Sequence, residues 1–184
     1  NGDENLPVEQ VSWNDVHEFI RRLNQQEEMD KYRLPTESEW EYACRAGSTT
    51  AYCFGNGTGN LGEYAWYYDN IEGNAAHPVR QKKPNAWGLY DMHGNVWEWV
   101  EDGYEKYQSH PVTDPVGSPP GPRQLRVLRG GCWRRYARGC RSAARTVGGP
   151  GGEGGLGIGF RLVTTCPIPQ ISQSPILPKD NHAF

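Results

Sequence analysis

The chain has 184 residues, of which 36% are hydrophobic, with 23 Gly, 14 Pro and a formal net charge of -3. That length supports one domain with a real core. The slightly acidic balance excludes the broad positive field of a nucleic-acid or anionic-membrane binder, and no apolar run reaches the roughly 18 residues that would span a bilayer.

At the start, Asn1-Gly2-Asp3-Glu4-Asn5 is polar and acidic, unlike a signal peptide. The absence of an initiating Met fits a fragment of a longer chain. The first predicted helix begins at Ser12, where Asp15 three residues on completes a capping box, and Val16, Phe19, Ile20 and Leu23 recur at helical spacing as one buried stripe. A second begins at Thr36 after Pro35, with Glu39 completing its box, Trp40, Ala43 and Cys44 as its apolar face and Gly47 at the C-cap. From Ser48 to Ala86 turn residues and aromatics replace any period, predicting long structured loops. Gly94–Val100, Arg126–Leu128 and Ile158–Val163 read as short strands, and Thr164–Phe184, Pro-rich and without period, as a tail or strap. Seven Trp and ten Tyr stand in for the missing aliphatics as core anchors. The five Cys are odd in number and irregularly spaced, which argues against a disulfide framework and for a reducing, cytoplasmic setting. The expected class is α+β, two helices with short strands and long irregular loops.

Five ordered blocks are more specific. They are Tyr32–Ala43 (Tyr-Arg-Leu-Pro-Thr-Glu-Ser-Glu-Trp-Glu-Tyr-Ala), Asn85–Trp99 (ending His-Gly-Asn-Val-Trp-Glu-Trp), Arg126–Gly131 (Arg-Val-Leu-Arg-Gly-Gly), Cys140–Arg145 (Cys-Arg-Ser-Ala-Ala-Arg) and Ile158–Val163 (Ile-Gly-Phe-Arg-Leu-Val). Together they resemble the formylglycine-generating-enzyme (sulfatase-modifying factor) family over about Pro7 to Val163. The resemblance implies a C-type-lectin fold of that subtype across 1–163, lacking the family's N-terminal portion with its opening strands, with 164–184 as the tail.

The family's oxidases bind copper through two cysteines, four residues apart, just after the Arg-Gly-Gly block. Here Cys132 and Cys140 are separated by seven residues, and neither falls on those positions when counted from Arg129 or Arg145. No copper and no catalysis are therefore expected; the alternatives are an oxidase with a displaced cysteine pair, or an accessory module of a larger enzyme or signalling protein. The segment Arg126–Val163 is more similar to the variable region of proteins diversified by a diversity-generating retroelement, in which adenines of a template are randomised. Between its fixed residues lie Cys132, Arg134, Arg135, Tyr136, Gly139, Ala144, Thr146, Val147, Gly148, Gly149, Gly151, Gly152, Gly154, Gly155, Leu156 and Gly157. Each is reachable from an Asn codon by changing adenines alone, and Asn itself is missing from 126–163; Glu153 does not fit. These positions are the expected ligand contacts, for an unknown protein or other macromolecule, with Arg134, Arg135 and Tyr136 favouring an acidic or aromatic one. The resemblance also implies one calcium ion held by the carboxylates of Asp91 and Glu98 and the backbone carbonyls of Gly94 and Val96, hard oxygen donors in a tight turn. His77 and His93 have no ligand spacing and read as structural.

Overall fold

A computed structural model describes residues 4–71, 73, 75–107, 121, 124–152 and 154–164. Helix α1 (Trp13–Gln26) and helix α2 (Glu37–Arg45) both open on the predicted reciprocal boxes. The Asp15 N–H donates to Ser12 Oγ (3.1 Å) while the Ser12 N–H donates to the Asp15 carboxylate (2.9 Å), so two otherwise orphaned backbone donors are satisfied at once. A third helix, α3 (Leu61–Tyr64), one turn long, interrupts the region expected to be loop. It escapes sequence reading because a single turn carries no period.

The main sheet has the order β4-β3-β2-β5, with β2 Trp97–Gly103, β3 Arg126–Arg129, β4 Arg145–Gly148 and β5 Ile158–Phe160. The β5 strand runs parallel to β2, and the other pairs are antiparallel. Strand β1 (Tyr32–Arg33) pairs separately with β6 (Val163–Thr164). Alternation along the strands divides the core. Trp97, Trp99 and Leu128 pack with Val16, Ile20 and Leu34 on the α1 side, whereas Val100 and Val127 pack with Trp40, Cys44 and Met92 on the α2 side. A strand covered on both faces needs no polar alternation, which is why the Trp-rich stretch predicted as Gly94–Val100 alternated poorly; it starts at Trp97 and runs on to Gly103. A third cluster, Tyr52, Leu61, Ala65 and Cys140, fastens the long loop to a 3-10 turn at Ala137–Cys140.

Four sequence expectations shift in detail. Phe19 is 48% exposed and meets Phe160 at the surface (centroids 5.7 Å) instead of completing the buried stripe. Ala46, at φ +46, takes the left-handed cap of α2 ahead of Gly47. The stretch 158–163 divides into β5 and the start of β6, so Thr164 belongs to a strand, while the rest of the predicted tail, from 165, lies outside the described residues. Strand β4 is not anticipated: it joins Arg145, from a fixed block, to Thr146, Val147 and Gly148, positions expected to vary.

The segment before α1 runs beneath the last loop. The Gln10 N–H donates to the Ile158 carbonyl (3.0 Å), the Gly157 N–H to the Glu9 carboxylate (2.8 Å), and the Trp99 indole N–H to the Val11 carbonyl (2.9 Å).

Candidate functional site

After β3 the chain turns at Gly130 (φ +97) and Gly131 (φ +78), where a Cβ on Gly131 would lie 2.8 Å from Cys140 Sγ. It then alternates between buried anchors and exposed side chains. Trp133, Cys140 and Ser142 are buried; Arg134, Arg135, Tyr136, Arg138 and Arg141 are exposed. The anchors are held by hydrogen bonds to the backbone of other elements. The Trp133 N–H donates to the Asn95 carbonyl (2.9 Å), the Tyr52 hydroxyl to the Ala137 carbonyl (2.8 Å), and the Ser142 N–H to the Ala51 carbonyl (2.9 Å). Arg129, fully buried, pairs with Glu41 and donates through Nη1 to the Ala144 carbonyl (2.7 Å). Side chains on the outer face can therefore change without disturbing the hydrogen bonds that fix the backbone.

The sixteen positions expected to vary do not behave alike. Arg134, Arg135, Tyr136, Val147, Gly149, Gly151, Gly152, Gly155 and Leu156 are exposed; Gly139, Ala144 and Thr146 are half-buried. Four are corrected from surface to scaffold. Cys132 is 3% exposed and packs in the α1-side core with Trp97 and Trp99. A Cβ on Gly148 would come within 2.5 Å of the Trp99 ring, and one on Gly154 within 2.2 Å of the Val11 nitrogen. Gly157 is buried at φ +78 against Cys132 and Trp133. Codon reasoning could not find these four, because it reads what a template permits and not what neighbours a backbone has. Conversely Tyr68, from the loop after α3, joins the exposed face: its ring lies 4.4 Å from that of Tyr136, and its N–H donates to the Arg135 carbonyl (3.0 Å). Nothing in local sequence marks it.

Cys132 belongs to the α1-side core and Cys140 to the cluster around Tyr52, and both are free thiols. Burial pushes the Cys140 thiol up to about 12 and raises that of Cys132. Cys44 is a core thiol as expected, its pKa pushed up to about 12 by burial. His93 is structural: Nδ1–H donates to the Cys140 carbonyl (2.8 Å) and Nε2 accepts from the Cys53 N–H (3.1 Å).

A cavity of about 370 Å³ is lined by Asp91, Gly94, Val96 and Glu98 together with Arg161 and Phe160, which brings the four expected calcium ligands around one space. Asp91, at φ +60, accepts the Arg80 N–H through Oδ2 (2.9 Å), while its Oδ1 is buried without a hydrogen-bond partner. Burial raises the Asp91 pKa, the penalty a bound cation would remove. Glu98 is more heavily committed, with both oxygens facing Arg161 (2.5 and 2.6 Å) and Oε2 also accepting the Trp40 indole N–H (2.6 Å). Among the described residues no three His, Cys, Asp or Glu side chains converge as a metal site, so a cation here would depend on backbone carbonyls. The donor set, oxygen only with one orphaned carboxylate atom, suits calcium. No helix among the described residues is long and apolar enough to cross a membrane.

Comparison with known proteins places this architecture. The sulfatase-modifying factor enzyme 1-like domain matches residues 1–166. The formylglycine-generating enzyme of Streptomyces coelicolor is 36% identical over 178 residues, 87% of this chain and 53% of that protein. The chain spans about half the length of the curated relatives it matches. Among solved structures, Treponema denticola variable protein 1 superposes with a TM-score of 0.81 at 30% identity, covering 89% of this chain and 73% of that one. PvdO from Pseudomonas aeruginosa superposes with a TM-score of 0.78 at 32% identity, covering 90% and 64%.

Proposed function

From its membership of the sulfatase-modifying factor enzyme 1-like family, whose C-type-lectin fold it shares, we propose that this chain uses the fold to bind a macromolecular ligand and not to catalyse. The contacts are the exposed residues of the Arg126–Val163 segment, diversified by a retroelement. The observation that carries the reading is the division of that segment into anchors with fixed backbone partners and side chains open to solvent, in a chain similar to a variable protein. The binding positions are Arg134, Arg135, Tyr136, Val147, Gly149, Gly151, Gly152, Gly155 and Leu156, with Gly139, Ala144 and Thr146 at the margin. A calcium ion between Asp91, Glu98 and the carbonyls of Gly94 and Val96 would stiffen the turn that feeds β2, supplying charge neutralisation and no chemistry.

The test is the DNA around the gene. The expected finding is a second, adenine-rich copy of the segment encoding 126–163 near a reverse transcriptase, with mismatches confined to template adenines. Its absence would leave a fixed module of the same fold.

A second reading follows from the 36% identity to a formylglycine-generating enzyme. The separate burial of Cys132 and Cys140 weighs against it. Conversion of a peptide cysteine to formylglycine by the copper-supplemented protein would establish it in place of the first.

A further inference from the structure

Most arginines among the described residues are matched. Arg33 pairs with Glu39, Arg45 with Glu41, Arg145 with Glu37 and Arg161 with Glu98. Arg80 and Arg126 lie over the rings of Tyr90 and Trp13. One nine-residue stretch, 133–141, concentrates arginines that are not matched: Arg134, Arg135, Arg138 and Arg141 are all exposed, and none pairs with a carboxylate or donates a side-chain hydrogen bond among the described residues. Arg134 and Arg135 rest only loosely over the rings of Trp133 (5.5 Å) and Trp97 (5.9 Å). No Asp or Glu occurs from Gln124 to Gly152; Asp69, exposed beside Tyr68, and Glu9, beneath the last loop, are acids near this face.

Alongside the arginines stand two half-exposed rings, Tyr68 (49%) and Tyr136 (56%), tilted at 49° to each other. Tyr68 is held before any ligand arrives. Asn70 braces its loop by accepting the Tyr67 N–H (2.9 Å) and donating to the Ala65 carbonyl (2.9 Å). Unpaired guanidinium forks beside preset tyrosines form a surface that gains charge-assisted bonds without first breaking its own.

We propose that this surface binds an acidic segment of a protein partner, its carboxylates on the four arginines and an aromatic or apolar side chain on the Tyr68–Tyr136 pair. The proposal rests on the reading that this face is the binding site, and adds the ligand's chemistry and a fixed contributor, Tyr68, outside the diversified segment. Charge distribution favours a short acidic peptide over a nucleic acid. The chain as a whole carries 22 acidic against 19 basic residues, so it lacks the broad positive field that holds a longer polyanion.

The experiment uses fluorescence anisotropy of the whole chain with a labelled peptide of repeating Glu-Glu-Tyr, and with an oligothymidylate as the contrasting anion. The peptide is expected to bind more tightly than the oligonucleotide. Arg134→Gln with Arg135→Gln should weaken it by about tenfold or more, and Tyr68→Ala by about fivefold or more, with unchanged melting temperature because all three side chains are exposed. Absent peptide binding, variants without effect, or tighter binding of the oligonucleotide would each overturn the proposal. If a template copy exists but the peptide fails, only the acidic-ligand inference falls. If the copy is missing but the peptide binds through these arginines, the inference stands and diversification falls.

Discussion

His93 illustrates how a residue that looks functional in sequence can be committed to structure. Its two ring nitrogens join Cys140 to Cys53, one as donor and one as acceptor, which only the neutral ring satisfies. Burial accordingly lowers its pKa from 6.5 to about 4. The unfolded chain takes up this proton as pH falls through the ordinary histidine range, while the fold refuses it until near the lower value. The contribution is therefore complete above the unfolded pKa and lost as pH falls across that window, at up to about 1.4 kcal/mol per pH unit. Urea unfolding across it should show a steeper acid loss for the native chain than for His93→Gln; equal slopes would contradict the assignment. Asp91 makes the converse case. If its orphaned Oδ1 holds calcium, adding calcium should raise the melting temperature of the native chain, and Asp91→Ala should abolish the increase. An identical shift in the variant would place any bound ion elsewhere.

At the scale of elements, the two main helices were legible because their caps are local: Ser12 with Asp15 and Thr36 with Glu39 need only three residues of context. Strand β2 was legible in place but not in extent, since its neighbours, not its own pattern, bury both faces. Strand β4 was hidden because Thr146 to Gly148 owe their conformation to pairing with Arg126 to Leu128 across the sheet. The same distinction divides the glycine-rich loop that follows. Gly149 has nothing within 4 Å of a built Cβ, whereas Gly154 faces backbone at 2.2 Å. Gly149→Ala should change stability by no more than about 0.5 kcal/mol, and Gly154→Ala should destabilise by about 2 kcal/mol or more, read from denaturant midpoints. Similar values for the two would mean that the loop yields as a body. The candidate face was thus half legible: codon logic found Arg134, Arg135 and Tyr136, which are exposed, but could not separate Gly154 from Gly149 or bring in Tyr68 from some seventy residues away.

At the scale of the whole molecule, the closure between the Val8–Val11 segment and the last loop governs when each part acquires its shape. The Glu9 to Gly157 bond spans 148 residues of sequence, so the early segment has no lasting place until nearly all of the domain has left the ribosome. The β2–β3 pairing and the two capped helices can form before that, whereas the parallel β5 edge and the loop leading to it cannot. Interactions made after the folding barrier do not set the folding rate; they set how fast the native state comes apart. Substitutions at Gly151, Gly152, Gly155 or Leu156 should accordingly leave refolding rates almost untouched and appear in unfolding rates, measurable by stopped-flow dilution out of urea and into it. A population of loop variants would then share one route into the fold and differ in lifetime, so that a poor loop yields a short-lived protein and not a misfolded one.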